Sequence, residues 1–155
     1  MNNKYINIYN SLVNLTRNKQ LYKNFSNQDT FSDRLIFFLL HFSFFLKVFK
    51  KNDDKKILQD IYDYIFRQLE LSIREIGYSD QSINKKMKEY LNLFYSMIDK
   101  IDNWENLTLS DKQSAIGFFI EKGIDQAHLV DYFDKYRINL TNNTLNSFIK
   151  GVVNQ

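Results

Sequence analysis

The most informative turn of this chain reads Ser72-Ile73-Arg74-Glu75-Ile76-Gly77-Tyr78-Ser79-Asp80. A pattern of apolar residues with helical period precedes the glycine, and a second such pattern follows it. Glycine is favoured at this point because the residue just past a helix often takes a left-handed conformation. The turn therefore predicts two helices that lie antiparallel and in contact, since their connection is short.

The helix before the turn is predicted over 55–76, and the helix after it from Asp80 or Ser82 to Ile101. In both, apolar residues recur in steps of three and four and so share one face. The apolar face of the first helix consists of Leu58, Tyr62, Ile65, Leu69, Ile73 and Ile76.

Charged residues occupy the opposite face of the 55–76 helix. Glu70 and Arg74, like Asp63 and Arg67, have the i,i+4 spacing at which side chains meet on a helix. A solvated, salt-bridged face is one interpretation. In the other, Asp63, Arg74 and Glu75 are partly buried and fix the turn or Arg34 in place.

Three lysines, Lys85, Lys86 and Lys88, fall near the predicted start of the second helix. The positive end of the helix dipole lies there and disfavours cations by up to about 1 kcal/mol each. Either the lysines are solvated and mildly unfavourable, or they contact an anionic partner. A second basic stretch lies near the other end of the 55–76 helix and contains Lys47, Lys50, Lys51, Lys55 and Lys56.

The most apolar run of the chain covers 35–46, with His41 inside it. A membrane-spanning helix needs about 20 such residues, and this run ends at Lys47. We therefore predict a central core helix over 34–50, rather than a membrane-touching or spanning segment. His41 is interpreted as a buried imidazole that is hydrogen-bonded to a neighbour, or alternatively as a packing or recognition residue near a partner site.

The rest of the chain also favours helices. Short helices are predicted over 4–15 and 19–25, a loop over 24–30, a turn at 52–54 and a linker over 104–109. Further helices are predicted from a capping box at Ser110 to near Gly123, from Asp125 to Tyr136, and after Thr141. Because proline is absent and strand-type alternation is hard to find, the sequence predicts one all-α domain of about seven helices over 1–155.

Composition excludes several classes of protein. With 44% hydrophobic residues, 14 Phe and 10 Tyr, the chain is too apolar to be disordered. Cysteine is absent, which excludes disulfides and thiolate chemistry. The N-terminal residues lack the apolar core of a signal peptide, so we expect the protein in the cytoplasm of a bacterium, with a peripheral position at the inner membrane as the alternative.

Signs of catalysis are nearly absent. The two histidines, His41 and His128, have no metal-type spacing with other ligands. The sequence contains no glycine-rich phosphate loop and no nucleophile elbow. We therefore predict a non-enzymatic protein with no catalytic residue, no cofactor and no metal.

A set of residues spread over 15–98 has an order and spacing known from one protein family. The set is Arg17, Tyr22, Asp29-Thr30, Arg34, Leu40-His41, Gln59, Tyr62-Asp63, Phe66, Ile73-Arg74-Glu75, Gly77, Asp80, Lys85-Lys86, Lys88 and Phe94-Tyr95. In these residues the sequence resembles the ubiquinol–cytochrome c chaperone family, the assembly factors for cytochrome b. The part over 105–155 is a helical C-terminal region with a looser match.

The resemblance implies a chaperone that binds newly synthesised cytochrome b and supports assembly of the respiratory cytochrome bc complex. Its partners would be apocytochrome b or the bc complex, with the ribosome or an anionic membrane surface as further partners, and no DNA. The implied partner-binding candidates are Arg17, Tyr22, Arg34, His41, Asp63, Arg74, Glu75, Asp80, Lys85, Lys86 and Lys88.

Two alternatives from other classes remain open at the level of the sequence. One is a small helical module that binds RNA or the ribosome through its basic patches. The other is a peripheral protein of the membrane interface that is unrelated to respiration. Salt-sensitive RNA binding favours the first, and binding to anionic lipid favours the second.

Overall fold

Helices form all the regular structure of the described residues, which in this computed structural model are 3–23, 25, 31–51, 54–120 and 126–153. The predicted all-α fold is confirmed. Two 3₁₀ turns cover Lys19–Tyr22 and Trp104–Asn106. The seven α-helices are α1 Ile6–Thr16, α2 Phe31–Phe49, α3 Lys55–Ile76, α4 Asp80–Ile101, α5 Leu109–Gly117, α6 Ala127–Thr141 and α7 Leu145–Lys150.

Helix α2 is the centre of the core. It is apolar on nearly every face, and 12 of its 19 residues are buried, so the helices α1, α4 and α6 pack around it. The prediction of a central core helix is confirmed, although the helix begins at Phe31, three residues before the expected start. Among the described helices, none has the length and apolarity needed to cross a membrane.

Helices α3 and α4 form the predicted hairpin. Asp54 caps the start of α3 through its side chain, and Gly77 ends it with φ of 103°. Ser79 then caps α4 by accepting a hydrogen bond from the backbone N–H of Ser82. The apolar stripes of both helices face the core, because the amphipathic spacing places them on one side. Ile76, the last residue of the predicted stripe of α3, is an exception because it is exposed.

The prediction that three lysines lie at the positive end of the α4 helix dipole is wrong. Asp80 occupies the first turn of α4, whereas Lys85, Lys86 and Lys88 are the sixth, seventh and ninth residues of the helix. The effect of the helix dipole falls off within the first turn. The lysines therefore do not conflict with the helix start, and no anionic partner is needed to explain them.

The C-terminal helices differ from the prediction in their bounds. The side chain of Thr108 caps α5, which ends at Gly117 rather than near Gly123. Residue 125, the expected cap of the next helix, lies outside the described residues, as do most of the predicted 24–30 loop and residues 52–53. Trp104 does not lie in an open linker but is fully buried in the core.

Candidate functional site

The tip of the α3–α4 hairpin brings several predicted site residues together. The guanidinium of Arg74 donates to the carboxylate of Asp80 across the turn at 2.6 Å and lies 3.9 Å from Glu70. Arg74 is 42% exposed, so this is a surface interaction that fastens the turn. The exposed Glu70–Arg74 pair agrees with the interpretation of a solvated, salt-bridged face. The contact with Asp80 spans the Gly77 turn, as the other interpretation expects, but the partial burial of Arg74 that it also expects is not observed.

The lysines of α4 lie on the same part of the hairpin. Lys85 and Lys88 are exposed to solvent. Lys86 is half-buried, and its ammonium lies 4.6 Å from the ring centroid of Tyr78. This cation–π contact gives Lys86 a local structural role.

Two acidic candidates on α3 are exposed. Asp63 accepts a hydrogen bond of 2.9 Å from the amide of Gln59. It forms no ion pair with Arg67, so that predicted pair is wrong, and the expected partial burial of Asp63 and Glu75 is not observed. Both carboxylates remain available to a partner.

The upstream candidates lie near the start of α2. Arg17 and Arg34 line one cavity of about 220 Å³, together with Phe31 and Ser72. Tyr22 is buried instead, and its hydroxyl donates to the backbone carbonyl of Thr16. Residues 29 and 30 of the resemblance lie outside the described part of the chain.

His41 is fully buried and fully hydrogen-bonded. Its Nδ1 lies 2.6 Å from the carbonyl of Phe37, which can only accept, so Nδ1 carries the proton. Its Nε2 then accepts from the hydroxyl of Tyr132 at 2.7 Å. Burial lowers the pKa of His41 to about 4. The interpretation as a buried, bonded imidazole is confirmed, and no surface is left for direct contact with a partner.

A groove that the sequence does not predict opens between α2, α3 and α4. Its cavity volume is about 500 Å³, and its walls are Leu46, Leu58, Tyr62, Ile98 and Ile101. Four lysines line it as well, namely Lys47, Lys50, Lys51 and Lys55. We call this feature the basic groove.

Lys47 is the one lysine of the basic groove that is buried. Its ammonium donates to the backbone carbonyl of Asp102 at 2.6 Å and lies 3.1 Å from the carboxylate of Glu105. Burial opposes ionisation of Glu105, but its own backbone N–H and Lys47 hold its pKa below the usual range. The positive charge of Lys47 is therefore balanced by Glu105 within the protein, and the role of Lys47 is structural.

The outer lysines of the basic groove are held less firmly. Lys50 is 50% exposed and pairs with Asp102 at 3.0 Å, and this hydrogen bond lowers the pKa of the Asp102 carboxyl. Lys51 is 65% exposed and lies 3.7 Å from Glu105. Lys55 has no ion pair within the described residues. The signal that the sequence offered was the basic stretch alone, because the groove depends on how three helices meet.

Within the described ranges, no three side chains of His, Cys, Asp or Glu form a cluster that would hold a metal ion. The described surface offers charged side chains at the hairpin tip and a lysine-rimmed apolar groove.

The fold and these surfaces define a small all-helical protein with candidate binding sites on its α3–α4 hairpin. The model of the ubiquinol–cytochrome c chaperone family matches residues 23–109, and the chain therefore belongs to that family. This is a family of assembly factors for respiratory complex III. The recognition made from the sequence is confirmed.

A solved structure supports the fold independently. The crystal structure of the Cbp3 homolog from Brucella abortus is similar, with a TM-score of 0.72 and 22% sequence identity. The similarity covers 97% of this chain and 87% of that one. At this identity the likeness concerns the fold. No curated protein matches the chain.

Proposed function

We propose that this protein is a non-enzymatic assembly factor that binds newly synthesised cytochrome b and supports assembly of the respiratory cytochrome bc complex. The observation that carries the proposal is the family match over residues 23–109. The bacterial cytoplasm, with a peripheral position at the inner membrane, fits this role. No catalytic residue, cofactor or metal takes part in it.

The physical task explains why such a protein needs an exposed binding surface. A nascent membrane protein presents apolar helices that aggregate in water, so its helper must offer apolar contacts beside charged ones. The tip of the α3–α4 hairpin has both. Ile76 and Tyr78 are 52% and 40% exposed, and they are adjacent in sequence to Arg74, Glu75 and Asp80.

We therefore assign the contact with cytochrome b to this hairpin tip. This contact includes five of the sequence-predicted candidates, namely Arg74, Glu75, Asp80, Lys85 and Lys88. Asp63 lies nearer the start of α3, away from the tip. Arg17 and Arg34 line a separate cavity and belong to a second contact. The buried Tyr22 and His41 act only by holding the core in shape, and Lys86 by its contact with Tyr78.

The test is the reduced-minus-oxidised optical spectrum of membranes from a deletion strain, compared with the complemented strain. We expect selective loss of the b-type signal of the bc complex in the deletion strain and its return with the gene. An unchanged spectrum would remove the basis of the proposal.

The same assay locates the contact. A strain that carries Ile76→Ser with Tyr78→Ser is expected to resemble the deletion strain, because the tip loses its apolar part. Leu109→Ser is the control, since Leu109 is 59% exposed on α5, away from the hairpin tip. Equal signals from the two variants, with equal protein levels, would argue against the hairpin tip.

A further inference from the structure

The basic groove combines two features that single out one class of ligand. Its walls are aliphatic for most of their length, with Leu46, Leu58 and Ile98 among them. Its outer edge carries Lys50, Lys51 and Lys55. A ligand that satisfies both features has an apolar chain and an anionic head.

The interior of the groove offers almost no free polar group. The hydroxyl of Ser43 donates to the carbonyl of Leu40 at 2.7 Å, and the hydroxyls of Tyr62 and Tyr95 bond to each other at 3.1 Å. The side-chain amide nitrogen of Gln59 donates to the carboxylate of Asp63. Because these groups are already bonded, a peptide backbone or a nucleobase would find few hydrogen-bond partners inside, whereas a hydrocarbon chain needs none.

The lining of the groove has a net positive charge. A neighbouring cavity of about 380 Å³ shares Lys47 and Lys51 with it and adds Arg137, whose Nε is buried with no hydrogen-bond partner among the described residues. Of the basic side chains that line the groove, Lys47 and Lys50 are paired with Glu105 and Asp102, and Lys51 lies 3.7 Å from Glu105. Lys55 has no ion pair within the described residues. An anionic group at this edge therefore meets Lys55 and the exposed Lys51.

Size separates a lipid chain from a helix of a client protein. A volume of about 500 Å³ falls within the range of small-molecule sites, which is roughly 300–1,000 Å³. An α-helix about 10 Å across with a pitch of 5.4 Å fills roughly 400 Å³ per turn. The groove therefore takes about one turn of a helix, but it can hold much of one acyl chain.

We propose that the basic groove binds one anionic phospholipid, with an acyl chain between α2, α3 and α4 and the phosphate at Lys51 and Lys55. Such a site places the protein at the membrane surface on which its membrane-bound target is built. The proposal rests on the groove itself and stands or falls separately from the contact with cytochrome b.

The test is calorimetric titration of the full chain with palmitoyl lysophosphatidylglycerol, kept below its micelle concentration. Palmitoyl lysophosphatidylcholine supplies the same chain with a zwitterionic head. We expect one molecule to bind per protein, with an affinity for the anionic lipid that is about tenfold higher or more, because each lysine near an anionic headgroup contributes about 1 kcal/mol.

Three variants separate the groove from general electrostatics. Lys51→Gln with Lys55→Gln is expected to abolish the preference for the anionic head. Lys19→Gln with Lys23→Gln removes the same charge from exposed positions outside the groove and should leave binding within about twofold, since no groove contact is lost. Ile98→Trp is expected to abolish binding of both lipids by filling the groove.

Several results would overturn the proposal. They are equal weakening by the two lysine pairs, unchanged binding in a folded Ile98→Trp protein, or no binding of the anionic lipid. Competition by millimolar inorganic phosphate would indicate a site for free anions instead. A single-stranded RNA or an acidic amphipathic peptide that binds through Lys51 and Lys55 while the lipid does not would identify a different occupant. The lysine pairs are exposed, so their results do not depend on how the protein tolerates Ile98→Trp.

Discussion

At the scale of single residues, His41 shows how the core responds to pH. The imidazole packs among the rings of Tyr132, Phe133 and Tyr136, which lie 4.8–5.4 Å away between centroids. No carboxylate accompanies it there among the described contacts. A proton on this ring would have no counter-charge, which explains why burial lowers its pKa to about 4.

We therefore predict that His41 makes the protein less stable in mild acid. The unfolded chain binds a proton below about pH 6.5, whereas the folded chain does so only near pH 4. The free energy of unfolding should then fall as the pH drops through this window. The loss due to His41 is about 2 kcal/mol between pH 7 and pH 5. Urea denaturation at a series of pH values measures it.

The control for this prediction is His41→Gln, which keeps a neutral polar side chain that does not titrate. All carboxylates are common to both proteins, so their contribution cancels in the difference. The variant should be less stable at pH 7 but should lose about 2 kcal/mol less on acidification. The same pH dependence in both proteins would mean that His41 does not titrate differently on unfolding.

The ion pair of Arg74 gives a second prediction for a single residue. Arg74 contacts Asp80 and Glu70, whereas Arg67 on the same helix has no ion pair among the described residues. We expect Arg74→Ala to lower the free energy of unfolding by about 0.5–1 kcal/mol, the range of an exposed pair, and Arg67→Ala to have a smaller effect. Chemical denaturation of both variants checks the order, and equal midpoints would contradict it.

At the scale of elements, the turn between α3 and α4 depends on the backbone of Gly77. Its φ of 103° is unfavourable for other residues, yet a Cβ atom at this position would have no atom within 4 Å. The cost of a side chain is therefore strain of the backbone and not a clash. We predict that Gly77→Ala destabilises the protein by roughly 1–2 kcal/mol.

Gly77→Asn is the matched variant, because asparagine tolerates the left-handed conformation better than alanine. It should lie between the wild type and Gly77→Ala in thermal unfolding. If asparagine were as costly as alanine, the interpretation of backbone strain would be wrong.

Helix bounds can be predicted from the sequence where they depend on residues close together in the chain. The bounds of α3 and α4 could be predicted because each helix has a regular apolar stripe and its end is marked by a cap or a glycine. The predicted start of α5 is two residues late, since Thr108 competes with Ser110 as a cap. Caps of equal chemistry in neighbouring positions are not ranked by sequence alone.

Features that depend on tertiary contacts could not be predicted from the sequence. His41 meets Tyr132 across 91 positions of the chain. The resemblance implied His41 as a partner-binding candidate, but its burial leaves no surface for a partner. The basic groove forms where residues of α2, α3 and α4 leave a space between them. The hydrophobic periodicity of a single helix does not predict such a space. The exposed lysines were visible in the sequence, whereas their relation to an apolar wall was not.

At the scale of the whole molecule, α2 joins the N-terminal and C-terminal parts. The ring of Phe44 stacks on Phe133 of α6 and meets Trp104 edge-on, both at 5.1 Å. The indole of Trp104 also donates to Asp134 at 2.8 Å. Because these contacts are buried, the 105–155 region shares its core with the region that carries the family match.

This shared core predicts a single cooperative unfolding transition. Trp104 is the only tryptophan of the chain, so its fluorescence reports on the junction, while far-ultraviolet circular dichroism reports on all helices. The two probes should give coincident urea curves, as expected for two-state unfolding. Phe44→Leu should shift both curves together by about 1–2 kcal/mol, because a smaller side chain leaves the junction underpacked. A fluorescence transition that precedes the loss of helix, or a variant that moves only one of the two curves, would show that the C-terminal region unfolds as a separate unit.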